Sequence, residues 1–403
     1  MAGVAILGFG VVGSGVAEVL RGNGNHIGQK LHSNLELKYI LDVKDFPDSP
    51  FGDLVIHDFS VIEADPNVEV VVETIGGIGV ARDFTQRALK AGKSVVTSNK
   101  ELVATYGYEL MDLARENGVS YLYEASVGGG IPIIHPLKQC LAANKITEIR
   151  GILNGTTNYI LTRMIRSGLS FQDALTEAQE KGYAEADPTA DVEGHDACRK
   201  ICILASLAFG RHIVPGQVPT EGITKVTLND VAYAERVGYQ IKLLGRAVQE
   251  PEGKLQAYVA PHLIPTADPL SGVEGVFNAI TVKGNAIGDV MFYGQGAGKL
   301  PTASAVVSDV MEAVNRKNAA KYLDWGPGGE DLISREDQPC PWYVRVAVGE
   351  GALASAIEGI RIIKSDRAEK EESAGLTGPL TAEMLKRCLS PLGLQAAFRV
   401  LED

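Results

Sequence analysis

Short apolar runs alternate with helically spaced segments through the first third of the chain. Val4–Leu7 leads into Gly8-Phe9-Gly10-Val11-Val12-Gly13, after which Ser14–Leu20 carries apolar residues at helical intervals. Strands are expected over Leu35–Leu41, Val68–Glu73, Ser94–Thr97 and Ser120–Tyr123, with helices over Ala81–Ala91 and Tyr108–Asn117. Strands alternating with helices predict right-handed crossovers and a parallel sheet. The expected fold class is α/β, with a doubly wound parallel sheet.

The rhythm changes after about residue 130. Lys145–Leu153, Gln256–Leu263 and Gly275–Lys283 read as strands. Asn158–Ser167, Phe171–Lys181, Asp191–Phe209 and Asn229–Leu244 read as helices, so this stretch is an α+β segment with its own sheet. A second glycine loop, Gly294–Gly298, precedes an amphipathic helix, Thr302–Asn315. Asp324–Pro341 reads as a linker, and 342–403 as a small separate strand-helix-strand module. The organisation expected is 1–135 with 295–323 as a first domain, 136–294 as a second, and 342–403 as a third.

Composition narrows the class without changing this layout. The 403 residues are 45% hydrophobic and 22% charged, ordinary for a soluble globular protein and enough for a sizeable core. A net charge of −12 spread along the chain argues against nucleic acid or an anionic membrane as partner. The longest apolar stretch, Ile201–Phe209, is too short to span a bilayer. Five cysteines without metal-type spacing read as reduced thiols, and with no leader-like start the expected location is the cytoplasm.

The glycine loop follows a strand and opens a helix, the context that gives this motif its physics. Gly8 permits the tight turn, Gly10 the approach of backbone to a pyrophosphate, and Gly13 the packing of helix on strand. The helix N-terminus adds free N–H groups for phosphate. This makes the first domain Rossmann-type and the cofactor a nicotinamide dinucleotide. Asp42 ends the second strand, where a carboxylate can bond ribose hydroxyls and repel a 2′-phosphate, which leans toward NAD. Lys44 could instead receive that phosphate, so NADP stays open.

The second informative stretch runs from Lys181 to Lys200. Glu185, Asp187, Asp191 and Asp196 precede Lys200, which enters an apolar helix beside Ile201, Ile203 and Leu204. Asp196 and Lys200 share a helical face at i,i+4. Burial would lower the lysine pKa and suit it to proton transfer, while Glu185 and Asp191 could bind a substrate ammonium. An exposed salt bridge at a helix start would read the same way. Upstream, Asn154-Gly155-Thr156-Thr157-Asn158 caps a helix and can meet a polar ligand. Lys100 follows a strand end, at the carboxyl edge where open α/β sheets bind ligands.

Four segments together make the chain resemble homoserine dehydrogenase: Gly8–Gly15, Asn154–Ile160, Gly182–Lys200 and Gly294–Asp309. The resemblance implies NAD(P)-dependent interconversion of L-homoserine and L-aspartate 4-semialdehyde on the route to threonine and methionine. It makes Lys200 the acid/base lysine and Lys100 a second lysine at the reacting carbon. It places Glu185 and Asp196 on homoserine, with Asp191 supporting and Gly182 lining the site. Gly8, Phe9, Gly10, Val11, Val12, Gly13, Asp42, Lys44, Thr74, Lys100 and Gly296 fall on the cofactor side. It also implies a sodium ion held mostly by backbone carbonyls of Glu124, Val127, Gly129 and Ile131. A homodimer or homotetramer formed through the middle domain follows, and 342–403 resembles an ACT-type regulatory or assembly module in outline.

Overall fold

The computed structural model describes residues 2–250, 253–315, 324–329, 332–333, 338–364 and 372–401. The chain divides into two compact units. One comprises Met1–Lys145, Cys202–Pro215 and Gly294–Gly329; the other comprises Ile146–Ile201, Gly216–Tyr293 and Glu330–Asp403. The tail of the expected first domain, 316–323, lies outside the described residues, as do parts of the expected linker and residues 365–371 of the C-terminal module.

In chain order the first unit holds β1 (Ala2–Leu7), α1 (Val11–Gly22), α2 (Gly24–Leu31), β2 (Leu35–Leu41), β3 (Val55–Ile56), α3 (Phe59–Ala64) and β4 (Val68–Glu73). It continues with α4 (Gly79–Lys90), β5 (Ser94–Thr97), α5 (Lys100–Glu116), β6 (Tyr121–Leu122) and α6 (Ile134–Lys138). The strands form one sheet in the order β3-β2-β1-β4-β5-β6, every pair parallel. This is the dinucleotide-binding order, with the reversal beside β1. Val4, Ile6, Ile40, Val70, Val72 and Val96 supply its core, and Val306 and Val310 from a later helix pack on them. The stretch between Gly22 and Asn34 holds a further helix, α2, between α1 and β2.

The second unit begins with β7 (Ile146–Ile152), α7 (Gly155–Ser167), α8 (Phe171–Glu180) and α9 (Thr189–Val192). Helix α10 (His195–Phe209) starts in this unit, and its residues from Cys202 are grouped with the first. Next come α11 (Leu228–Arg236), β8 (Tyr239–Gln249), β9 (Leu255–Pro265), β10 (Phe277–Gly284) and β11 (Gly288–Gln295). Helix α12 (Lys299–Asn315) belongs to the first unit. The chain ends with β12 (Trp342–Val346), α13 (Glu350–Ala356), β13 (Arg361–Ile363), β14 (Ser373–Leu376), α14 (Ala382–Leu389) and β15 (Leu394–Val400).

Three expectations need correction here. Asn229–Leu244 is not one helix: Gly238, at φ 80°, ends α11, and Tyr239–Leu244 enters the sheet as β8. Asp191–Phe209 is broken at Gly194, φ 83°, into α9 and α10. Gly294 and Gln295 close strand β11, so the second glycine loop begins only at Gly296.

The C-terminal segment follows a β-α-β-β-α-β order with its strands arranged β15-β12-β14-β13, the split βαβ arrangement. Its sheet does not stand apart. β15 pairs in parallel with β9 through Arg399↔His262 and Val400↔Leu263, giving one sheet of nine strands, β11-β10-β7-β8-β9-β15-β12-β14-β13. A buried network adds to this join. The Arg345 Nε donates to Asp230 Oδ1 of α11 (2.7 Å), and its Nη1 donates to Glu372 (2.8 Å). The Tyr343 hydroxyl donates to the same Asp230 oxygen (2.9 Å).

Candidate active site

In the first unit the site forms where β1, β2 and β4 end. Gly8 turns in the left-handed region (φ 89°), which side-chain-bearing residues rarely adopt. A Cβ on Gly13 would lie 2.0 Å from the Gly8 carbonyl oxygen, so α1 meets the turn only because Gly13 lacks a side chain. A Cβ on Gly10 would meet nothing within 4 Å, leaving that backbone open to a ligand. Asp42 is tied to the same turn: one carboxylate oxygen accepts the Phe9 N–H (2.7 Å) and the other the Lys44 N–H (3.0 Å). The Thr74 hydroxyl lies against the Leu7 and Gly8 carbonyls (2.9 and 2.8 Å). Val12 is half-buried in α1, and Val11, Val43, Ile75 and Val80 expose apolar side chains along this edge. The Phe9 ring is buried edge-on against Phe46 and Phe51, so its contribution to the loop is backbone.

Glu73 completes this edge, and the sequence reading passes over it. Fully buried at the end of β4, it accepts the Ile75 N–H (2.8 Å), the Gly76 N–H (3.3 Å) and the Thr97 hydroxyl (2.6 Å). Burial pushes its carboxyl up against the pull of those three donors. Asn99 donates to the Gly77 carbonyl (2.6 Å) and caps α5, whose first residue is Lys100. One network therefore fixes both the Thr74–Gly77 loop and the start of the Lys100 helix.

The turn expected to hold a metal is also in this unit. The Glu124 carboxylate accepts three backbone N–H groups, from Ile133, Ile134 and His135 (2.6, 2.9 and 2.7 Å). Val127, Gly129 and Ile131 are buried, and Ile131 N–H donates to the Gly128 carbonyl (2.8 Å). A Cβ on Gly129 would lie 2.5 Å from the Gly296 carbonyl oxygen, so these two glycine turns pack backbone to backbone. Among the described residues no cluster of three His, Cys, Asp or Glu side chains is placed to hold a metal.

In the second unit, Asn154 joins β7 to α7, and the break at Gly194 sets Asp191 on α9 beside Asp196 on α10. Lys200 is 8% exposed, and its Nζ donates to Asp196 Oδ2 and to the Leu153 carbonyl, both at 2.7 Å. The surface salt-bridge reading therefore fails: the pair is buried. Asn154 donates its amide to Asp191 (2.6 Å) and to Asp196 (2.8 Å), beyond the capping role expected of it. Burial raises the Asp191 carboxyl, opposed by the hydrogen bond from Asn154 and helped by the nearby charge of Asp196. Glu185 sits on an exposed loop tied back by several hydrogen bonds. Thr156 donates to the Tyr183 carbonyl (2.6 Å) and Gln179 to the Glu185 carbonyl (3.1 Å). Gly182, at φ 71°, starts that loop.

Behind the site, Asn158 donates to the carbonyls of Val273, Gly275 and Phe277 and accepts from Lys242 Nζ (3.2 Å). Burial pushes the Lys242 ammonium down to about 8. Between that value and the ordinary lysine pKa of about 10.4, the unfolded chain carries a proton the folded chain lacks, so stability rises with pH through this window. Below pH 8 the cost is on the order of 3 kcal/mol. Denaturant titrations of Lys242→Met are expected to lose this alkaline gain, so that the stability of the wild type relative to the variant rises between pH 8 and about 10.4.

The 3-2-1-4-5-6 sheet and its glycine turn make this chain an NAD(P)-binding α/β enzyme of the dehydrogenase class. Two family models match it: homoserine dehydrogenase, NAD binding domain, over residues 8–124, and homoserine dehydrogenase over 132–311. The chain is 44% identical over 394 residues to a homoserine dehydrogenase of Neisseria gonorrhoeae, covering 95% of this chain and 90% of that one. The crystal structure of a homoserine dehydrogenase from Thiobacillus denitrificans superposes with TM-score 0.92 at 36% identity, over 100% of this chain and 98% of that one. A hyperthermophilic archaeal homoserine dehydrogenase in complex with NADPH matches with TM-score 0.64 at 29% identity, over 77% and 97%. The chain belongs to the homoserine dehydrogenase family. It is an NAD(P)-dependent oxidoreductase that interconverts L-homoserine and L-aspartate 4-semialdehyde in the biosynthesis of threonine and methionine.

Proposed function

We propose that Lys200 is the acid/base residue of this reaction, held by Asp196, with Lys100 as a second lysine at the reacting carbon. The observation that carries this reading is the buried lysine fixed by two bonds amid two carboxylates. Such a site attracts the substrate ammonium, so Glu185, Asp191 and Asp196 bind homoserine and Gly182 lines the pocket. The bound nicotinamide supplies or accepts the hydride. In the reducing direction Lys200 stabilises and protonates the alkoxide that develops on the aldehyde oxygen. In the oxidising direction it takes the hydroxyl proton. The carboxylates fix the orientation of the amino acid.

The cofactor would rest on Gly8, Gly10, Val11, Val12 and Gly13, with Thr74 and Gly296 toward the nicotinamide. NAD is favoured by Asp42, whose charge is fixed at the end of β2 by the Phe9 and Lys44 amides. NADP is the second reading, supported by the exposed Lys44 and by the NADPH-bound archaeal relative. Absorbance at 340 nm with L-homoserine at alkaline pH, run with NAD and NADP in parallel, tests both points. Growth of reduced cofactor is expected in both, faster with NAD; silence in both, with cofactor binding intact, would sink the assignment.

The same reading includes a sodium ion on the backbone carbonyls of Glu124, Val127, Gly129 and Ile131. An all-oxygen set suits a hard cation, and the Glu124 carboxylate is already engaged by three amides. It also includes a homodimer or homotetramer, and an ACT-like regulatory or assembly role for 342–403. A cytoplasmic location is supported by the five cysteines, an odd number without the spacing of a disulfide or metal framework.

A further inference from the structure

We propose that Asn154 is a positioning residue for substrate: its side-chain amide bridges Asp191 and Asp196 and keeps both available as carboxylates for the homoserine ammonium. This rests on the reading above, in which those acids bind the amino group.

The orientation of the amide is forced by its partners. Asn154 Oδ1 lies 2.9 Å from the Thr157 backbone N–H, which can only donate, so the oxygen must face α7. The NH2 group then faces the acids, with one N–H toward Asp191 Oδ1 (2.6 Å) and one toward Asp196 Oδ2 (2.8 Å). Both donors of one buried side chain are thus spent on two neighbouring carboxylates. A helix cap needs only the oxygen, so capping leaves this half of the amide unexplained.

Two carboxylates sharing a buried site resist being charged together, and without added donors one of them would take up a proton. The groups that bear on Asp191 are Asn154, Asp196 and Lys200, with Thr156 contributing a further hydrogen bond. Lys200 on α10 offers one positive charge, already bonded to Asp196. The Asn154 amide adds two donors without adding charge. It bonds both acids at once and leaves the net negative charge that a substrate ammonium would neutralise. A lysine or arginine at 154 would cancel that charge, whereas an asparagine preserves it.

The test separates capping from bridging. Asn154→Ser keeps a cap oxygen for the Thr157 N–H, and serine ranks with asparagine as a cap, but a single hydroxyl cannot serve both acids. The expected result is a melting temperature close to wild type and a homoserine KM raised about tenfold or more, the order of a lost hydrogen bond to a charged group. The cofactor KM should stay unchanged. The acid limb of kcat/KM for homoserine should move to higher pH, so that the gap from wild type narrows as the assay is made alkaline.

An Asn154→Ser enzyme with wild-type homoserine KM and acid limb would overturn the proposal. Should that variant fail to fold, Asn154→Thr, which also keeps the cap oxygen, is judged by the same readings. Failure of both would assign the bridge to stability and overturn the substrate role. The broader reading is tested separately by wild-type turnover and by Lys200→Ala. If those behave as expected while Asn154→Ser is silent, only the role of Asn154 falls.

Discussion

Lys200→Ala is expected to lower kcat/KM for homoserine by about 10³-fold, within the range of a general acid–base group, while the cofactor dissociation constant stays near wild type. The separation follows from position. Lys200 lies on α10 and bonds to Asp196 and to the end of β7, whereas the glycine turn belongs to the other compact unit. Removing the ammonium leaves Asp196 buried with the Asn154 amide but without its lysine, so some loss of stability accompanies the loss of rate. Thermal melting of the variant separates the two effects. Lys200→Arg isolates the proton: guanidinium keeps the charge but does not give up a proton in the working pH range. It should be nearly as slow as the alanine variant while preserving more of the fold. A Lys200→Ala enzyme that is folded, binds cofactor and turns over at the wild-type rate would remove Lys200 from the chemistry.

Much of the first unit was legible because its signals are local. β2, β4 and β5 have the ends that their apolar runs mark, and the Gly8–Gly13 turn follows β1 as its spacing requires. Two-residue β3 and six-residue α3 are too short for periodicity to declare. In the second unit, the i,i+4 spacing of Asp196 and Lys200 was readable and the apolar residues after Lys200 pointed to its burial, but an exposed pair stayed open because packing by distant segments decides between the two. β8 was lost for a related reason. Its apolar residues continue those of α11, and only the left-handed turn at Gly238 separates helix from strand. Asn154 looked like a cap because its second set of partners, Asp191 and Asp196, arrives from far along the chain. Glu73 ends a strand as many acids do, and its grip on Thr97 and two loop amides has no one-dimensional signature. The parallel pairing of β15 with β9 is the most distant case, and it changes how the C-terminal segment should be tested.

Arg345→Leu is expected to destabilise the second unit by about 3–5 kcal/mol, the cost of leaving a buried charge without its partner. Asp230 is fully buried and Arg345 nearly so, and the pair joins β12 of the C-terminal segment to α11 of the preceding one. Glu372 and Tyr343 use the same centre, so the arginine is the hub of the contact. For a unit of this size the loss corresponds to a melting temperature lower by roughly 10 °C. The paired variant Arg345→Met with Asp230→Leu removes both charges and should recover part of that loss, because desolvating an ion pair offsets much of its attraction, while Tyr343, Glu372 and the Thr227 cap still lose a partner. The shape of the transition then tells how the segment is built in. A sheet continuous from β11 to β13 predicts that the C-terminal strands and the β7–β9 strands melt together, with homoserine turnover lost in the same transition. Separate transitions, with turnover surviving the first, would make 342–403 an independently folding module docked at β9, and the expected 3–5 kcal/mol penalty would then be confined to that module.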